Sequence, residues 1–177
     1  HQYINEMKEH EFVLWVIGAN AKDKGKFVYE LPKNVVEVHE VFLDDALRLK
    51  DSGKMLHAFT EEETNSLKEL MLCRRPNWEI LFRLYHDQKL NPMSFLRSEE
   101  FLNILTECCI KDYPYTPFAD AFHTMRSMLL PVFYLMGSEV PKADVYHAIC
   151  TGYGGLLACL GGHVYKKKVL LTEHGIY

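Results

Sequence analysis

Two short turns in the last third of the chain combine residue types that can hold a ligand. The first, Thr151 to Gly155, places three glycines between an apolar run and a segment of helical spacing, and the second is Glu173-His174-Gly175. Glycines at a helix start let a ligand approach the backbone and leave the first N–H groups free for an anion. An imidazole beside a carboxylate can donate or accept a hydrogen bond. The residues alone leave two plainer interpretations open: a tight turn without a ligand, and an ordinary surface histidine.

A strand–helix–strand unit would position both turns. Asp144 to Ile149 and Lys168 to Thr172 are apolar runs typical of strands, and Leu156 to Tyr165 between them has helical spacing. Strands joined by a crossover helix are parallel, so both turns would follow the carboxyl ends of their strands. Open α/β sheets bind ligands at that edge, and we expect any site of this chain there.

The front of the chain predicts two further strands. Phe12 to Ile17 is continuously apolar, as in a central parallel strand, and Val35 to Val41 alternates imperfectly. A short helix should precede them, at the start of the chain. Strands alternating with helical segments predict an α/β fold whose strands are parallel where they pair.

The middle of the chain is predicted to be helical. Thr60 and Glu63 have capping-box spacing, and Ser98 can cap a later helix. Thr116-Pro117 should begin a long helix that ends at Gly137. A stripe of Trp78, Phe82 and Tyr85 has the spacing of a helix core, which we favour over a sugar-stacking platform.

Composition narrows the class of protein. The formal net charge is −4 over 177 residues, which gives no reason to expect nucleic acid as a partner. No apolar run approaches the roughly 20 residues of a spanning helix. Five cysteines without paired C-x-x-C spacing predict reduced thiols and a cytoplasmic location. The histidines lack metal-ligand spacing, so we expect no metal and no cofactor.

Four ordered segments carry a family resemblance. HQYINEM, FVLWVIGA, YELPKNVVEVHEVFL and the pairing of DVYHA with LLTEHGIY resemble, in order and spacing, the N-terminal domain of family 4 glycosyltransferases, in particular their PelF-like subgroup. The middle, from about Gly53 to Tyr115, is similar to that subgroup's helical insertion. The resemblance implies one Rossmann-like, three-layer domain over residues 1–177, the N-terminal half of a GT-B fold with a mostly parallel sheet.

The resemblance also implies an activity. It is the retaining transfer of a hexose from a nucleotide sugar, UDP-glucose, to a growing exopolysaccharide. This half would hold the glycan acceptor and one wall of the cleft, and His174 would contact the donor sugar as the catalytic candidate. The implied substrate-binding residues, which would line the cleft or orient its loops, are Thr151, Gly152, Tyr153, Gly154, Gly155, Glu173 and Gly175.

Family members begin with a strand and a glycine-rich loop, and carry a second domain that holds most of the nucleotide-sugar pocket. The resemblance therefore implies a piece of a longer enzyme, inactive alone, that works beside a membrane-associated polysaccharide synthesis complex. The absent first strand would lie between the strand at Phe12 and the strand at Asp144. We expect another segment or chain to fill that gap, or the two strands to close up.

Two other functions stay open. One is a non-catalytic α/β binding module that docks a partner protein, and the other is a flavodoxin-like ligand binder. A following Rossmann domain with a glutamate pair in the same gene would favour the enzyme.

Overall fold

The computed structural model describes residues 2–53 and 57–173. In chain order its helices and strands are α1 Gln2–Glu6, β1 Phe12–Gly18, β2 Val35–Phe42, α2 Glu61–Met71, α3 Trp78–Phe82, α4 Pro92–Phe95, α5 Glu99–Lys111, α6 Phe118–Met136, β3 Val145–Ala148, α7 Tyr153–Tyr165 and β4 Lys168–Leu171. Short 3₁₀ turns follow β1 and β2, at Ala21–Asp23 and Leu43–Arg48, and a π-helical segment, Arg83–Asp87, continues α3.

The chain divides into two compact units. The first, the α/β unit, comprises His1–Leu47 and Glu139–Tyr177, and the second, the helical unit, is the contiguous segment Arg48–Ser138. The helical unit contains α6 and so extends beyond the insertion of about 53–115 expected from the sequence.

The strands of the α/β unit pair in parallel, which confirms the predicted α/β class. β1 pairs with β2 from Phe12↔Val35 to Gly18↔Phe42, and β3 pairs with β4 from Val145↔Lys168 to Ala148↔Leu171. All four strands begin and end within one residue of the predicted bounds. The arrangement is compatible with a Rossmann-like domain that carries helical segments.

The described strands form two separate two-stranded sheets rather than one continuous sheet. The ring of Tyr3 in α1 makes edge contacts with Phe12 of β1, at a centroid distance of 6.1 Å, and with His147 of β3, at 5.6 Å. An α1 side chain therefore contacts one strand of each sheet. The expectation that a further segment or chain fills a gap between β1 and β3 stays a prediction.

Close packing of α7 on β3 and β4 depends on two glycines. A Cβ on Gly161 would lie inside the van der Waals envelope of the Tyr146 ring, and one on Gly162 would lie 2.5 Å from Cγ2 of Val169. Tyr146 cannot easily retreat, because its buried hydroxyl donates to the Pro141 carbonyl at 2.8 Å and its ring stacks on Tyr165. The helix therefore lies as close to the sheet as backbone atoms allow.

The core of the helical unit is aromatic. Tyr85 stacks on Phe133, with ring centroids 4.0 Å apart and planes within 6°, and Phe95 packs edge-on against both. The Tyr85 hydroxyl is buried without a hydrogen-bond partner among the described residues, and burial raises the pKa of Tyr85 well above its ordinary value. The predicted core stripe is confirmed for Phe82 and Tyr85 but wrong for Trp78, which is 41% exposed at the first residue of α3.

The predicted helix ends are confirmed where side chains cap them. The Thr60 hydroxyl accepts from the Glu63 N–H, and the Glu63 carboxylate accepts from the Thr60 N–H, completing the capping box of α2. At the start of α5 the Ser98 hydroxyl accepts from the Phe101 N–H, and α6 ends before Gly137. Local hydrogen bonds of this kind are encoded within four residues, which is why the sequence reveals them.

An ion-pair group joins α2 to α5. The Glu107 carboxylate lies 2.6 Å from Nζ of Lys68 and 2.7 Å from Nζ of Lys111. Hydrogen bonds from Lys111 and Lys68 lower the pKa of Glu107 from 4.5 to about 2.

The first prediction concerns the close contact of α7. Gly161→Ala should lower the free energy of unfolding by about 1–3 kcal/mol because Tyr146 is held in place, even though alanine favours the helix. Urea denaturation measures the change, with Cys159→Ala, an exposed position of the same helix, as the matched control. A Gly161→Ala variant as stable as the parent would show that the sheet can move away.

The second prediction is a pH dependence. Because the folded-state pKa of Glu107 is depressed, its stabilisation is present above the unfolded value of 4.5 and is lost as the pH falls through about 2. Over that interval the parent should lose stability more steeply than Glu107→Gln, measured by thermal melts at each pH. Glu100→Gln, an exposed position of α5 without an ion pair in the described part of the chain, is the control. Identical slopes for parent and Glu107→Gln would refute the coupling.

Candidate functional site

The first predicted turn connects β3 to α7 and depends on Gly152. Gly152 precedes the first residue of α7 with φ 72° and ψ −133°, a conformation that essentially only glycine adopts. No atom lies within 4 Å of a Cβ placed there, so the requirement for glycine comes from the backbone and not from crowding. The helix begins at Tyr153, three residues earlier than the sequence predicts, and its first turn contains Gly154 and Gly155.

The start of α7 presents backbone donors to the surface. Leu156 N–H donates to the Gly152 carbonyl at 2.9 Å, and no side chain caps the helix. Within the described residues no acceptor is found for the N–H groups of Tyr153, Gly154 and Gly155. Thr151, Gly152 and Tyr153 are exposed, so hydroxyl or anionic oxygens of a ligand can reach these donors.

Glu173 leaves the sheet at the same edge as this turn. Ala148 and Leu171 are the last paired residues of β3 and β4, and the Thr172 N–H extends the ladder by donating to the Ala148 carbonyl at 2.9 Å. The turn after β3 and the exposed Glu173 therefore both follow the carboxyl ends of parallel neighbours. The edge combines helix-start donors, the aromatic ring of Tyr153 and a carboxylate, groups that can bind hydroxyl-rich molecules.

His174 and Gly175 lie outside the described residues. Their assignment, His174 to the donor sugar above all, stays a prediction.

Sequence reasoning missed one pair at this edge. Nε2 of His147 shares a hydrogen bond with Oγ1 of Thr172 at 2.7 Å, and Tyr3 packs edge-on against the same imidazole. The signal that could have found it is the parallel register, which places the ends of both strands side by side.

The opposite edge of this sheet holds an ion pair. Lys167 Nζ lies 2.8 Å from Oδ1 of Asp144, and this hydrogen bond lowers the pKa of the Asp144 carboxyl. One lysine of the Lys166–Lys168 run thus joins the amino ends of β3 and β4.

Two further observations concern metals and membranes. Among residues 2–53 and 57–173, no three His, Cys, Asp or Glu side chains are grouped so that they could hold a metal ion. No helix in that part of the chain is both long and apolar enough to cross a bilayer.

The third prediction tests the turn. Gly152→Ala should lower the free energy of unfolding by about 1–3 kcal/mol, because alanine is strained at this φ and ψ. Thr151→Ala, at an exposed neighbour, should change it by less than about 0.5 kcal/mol. Equal melting of the two variants in chemical denaturation would mean that the turn can adopt another conformation.

Comparisons with known proteins give one match. The family model DUF3492, described as a domain of unknown function, matches residues 1–177. No curated protein and no solved structure matches the chain. Since the match extends from the first residue to the last, the chain belongs to the DUF3492 family.

Proposed function

We propose that this chain is the acceptor-side, N-terminal domain of a PelF-like family 4 glycosyltransferase. The reaction would be retaining transfer of a hexose from a nucleotide sugar, UDP-glucose, to a growing exopolysaccharide in the cytoplasm. The observation that carries the proposal is the β3–α7–β4 arrangement, which brings the Gly152 turn and Glu173 to one sheet edge.

The placement of the resembling segments supports the proposal. They coincide with α1, β1, β2, β3 and β4, all of which belong to the α/β unit. The resemblance therefore follows the parallel strands and the turns after them, where open α/β sheets bind ligands.

The chemistry of the edge suits a sugar acceptor. The N–H groups at the start of α7, which have no acceptor among the described residues, can donate to sugar hydroxyls, and the half-exposed ring of Tyr153 offers an apolar face for a pyranose. Glu173 can accept hydrogen bonds from hydroxyls or orient its loop. The role assigned to these groups is to bind and orient the acceptor, which is itself a large part of catalysis.

The fourth prediction tests this function in the longer enzyme that the resemblance implies. His174→Ala should lower kcat/KM for hexose transfer from UDP-glucose by about 2- to 13-fold, the equivalent of one neutral hydrogen bond of 0.5–1.5 kcal/mol. His174→Asn, which keeps a hydrogen-bonding group, should do less harm. His123→Ala, at an exposed histidine of the helical unit, is the matched control and should leave the rate unchanged.

The 177-residue chain by itself should show no turnover, because catalysis needs groups from both sides of the cleft held in register. Turnover of UDP-glucose by the purified chain above a heat-killed control would contradict the proposal that catalysis needs groups outside this chain. A full-length protein that transfers no hexose, but captures a protein partner through the α/β unit, would favour the non-catalytic binding module instead.

A further inference from the structure

The segment after β1 exposes three consecutive large apolar side chains. In this segment, residues 22–33, which we call the 22–33 loop, Phe27 is 41% exposed, Val28 89% and Tyr29 70%. Every residue from Lys22 to Glu30 is exposed. Single exposed apolar residues are ordinary, but a contiguous group of this kind marks an interaction surface.

The base of the loop is held by hydrogen bonds. The Gly25 N–H donates to both oxygens of the Glu40 carboxylate, at 3.0 and 3.1 Å, and the Ala21 N–H donates to Oδ1 of Asp44 at 3.2 Å. Asn20 accepts from the Lys22 N–H at 2.9 Å. Gly25 itself has φ 71°, which favours glycine. An anchored turn therefore presents the apolar triplet outward.

The charges beside the triplet are mainly positive. The 22–33 loop has four lysines and two carboxylates, in a chain whose net charge is −4. Lys26 pairs with Asp23 at 3.2 Å, whereas Lys22, Lys24 and Lys33 have no carboxylate partner in the described part of the chain. The loop is thus a basic and apolar feature on an acidic protein.

We propose that the 22–33 loop docks the α/β unit onto the surface of an anionic lipid bilayer. Aromatic rings are favoured at the level of the lipid headgroups, and lysines near an anionic leaflet each strengthen binding about fivefold at physiological salt. Apolar insertion and basic attraction are the two signals that stable attachment needs. The proposal stands on this loop alone and does not rest on the glycosyltransferase assignment.

A second exposed apolar site of the chain lacks the charge that would fit this partner. Ile110 in the last turn of α5 and Tyr115 in the loop before α6 are 70% and 98% exposed. Beside them Lys111 pairs with Glu107 and Asp112 pairs with Arg74. This site is as apolar as the loop but has no unpaired lysines described beside it, so it supplies a matched control.

The test is co-sedimentation of the chain with vesicles of phosphatidylcholine and phosphatidylglycerol, compared with phosphatidylcholine alone. We expect binding to the anionic vesicles only, and a decrease when salt screens the lysines. Replacing Phe27, Val28 and Tyr29 by serine should weaken binding at least tenfold. Replacing Lys22 and Lys24 by alanine should weaken it roughly thirtyfold.

Two controls separate a specific loss of membrane binding from a loss of exposed apolar surface elsewhere or of folding. Ile110→Ser/Tyr115→Ser should bind as the parent does, and circular dichroism melts should show that every variant folds. Three results would each overturn the proposal: no binding to anionic vesicles, equal loss in the Ile110→Ser/Tyr115→Ser control, and unchanged binding of the loop variants. The proposal would also fail if binding disappeared only when Lys166 and Lys168 are replaced, or if the loop captured a partner protein but no vesicles.

Discussion

The α/β unit depends on how closely α7 can approach its sheet. Gly161 and Gly162 remove the side chains that would separate the helix from Tyr146 and Val169. The helix packs closely against one residue of each strand, and the two strands pair in parallel register. That register in turn decides which loops are neighbours: the turn that starts α7 and the residues after Leu171 emerge side by side. The arrangement of groups at this edge therefore depends on the absence of side chains at Gly161 and Gly162 of α7.

The helical unit is stabilised in a different way. Its centre is a stacked pair, Tyr85 on Phe133, enclosed by Phe95, and it has no strand among its described residues. Tyr85 lies within the π-helical segment, and its hydroxyl is buried without a partner among the described residues. A buried unpaired hydroxyl costs stability, so the stacking and the apolar surface around it must offset that cost. The ion-pair group of Glu107, in contrast, is partly open to solvent.

Sequence reasoning succeeds here where the information is local. Apolar or imperfectly alternating runs predict the four described strands, and the Thr60 capping box and the Gly137 stop predict helix ends. The sequence does not show which side of a helix distant residues cover. Trp78 has the spacing of a core residue, but its side chain remains partly exposed to solvent. The His147–Thr172 contact and the division into two sheets depend on pairing across more than twenty residues, which no local pattern encodes. The glycines identify the turn from Thr151 to Gly155 in the sequence. Because glycine lowers helix propensity, the same residues make the predicted start of α7 three residues too late.

The α/β unit is built from two stretches of chain separated by the whole helical unit. During synthesis, every contact within the helical unit can form once Ser138 has emerged, whereas the contact of Tyr3 in α1 with His147 of β3 must wait for the last third of the chain. Closing a flexible loop as long as Arg48–Ser138 costs about 4 kcal/mol from its length alone, and an already folded insert removes most of that freedom beforehand. We therefore expect early folding of the helical unit to lower the entropy cost of joining the two stretches of the α/β unit.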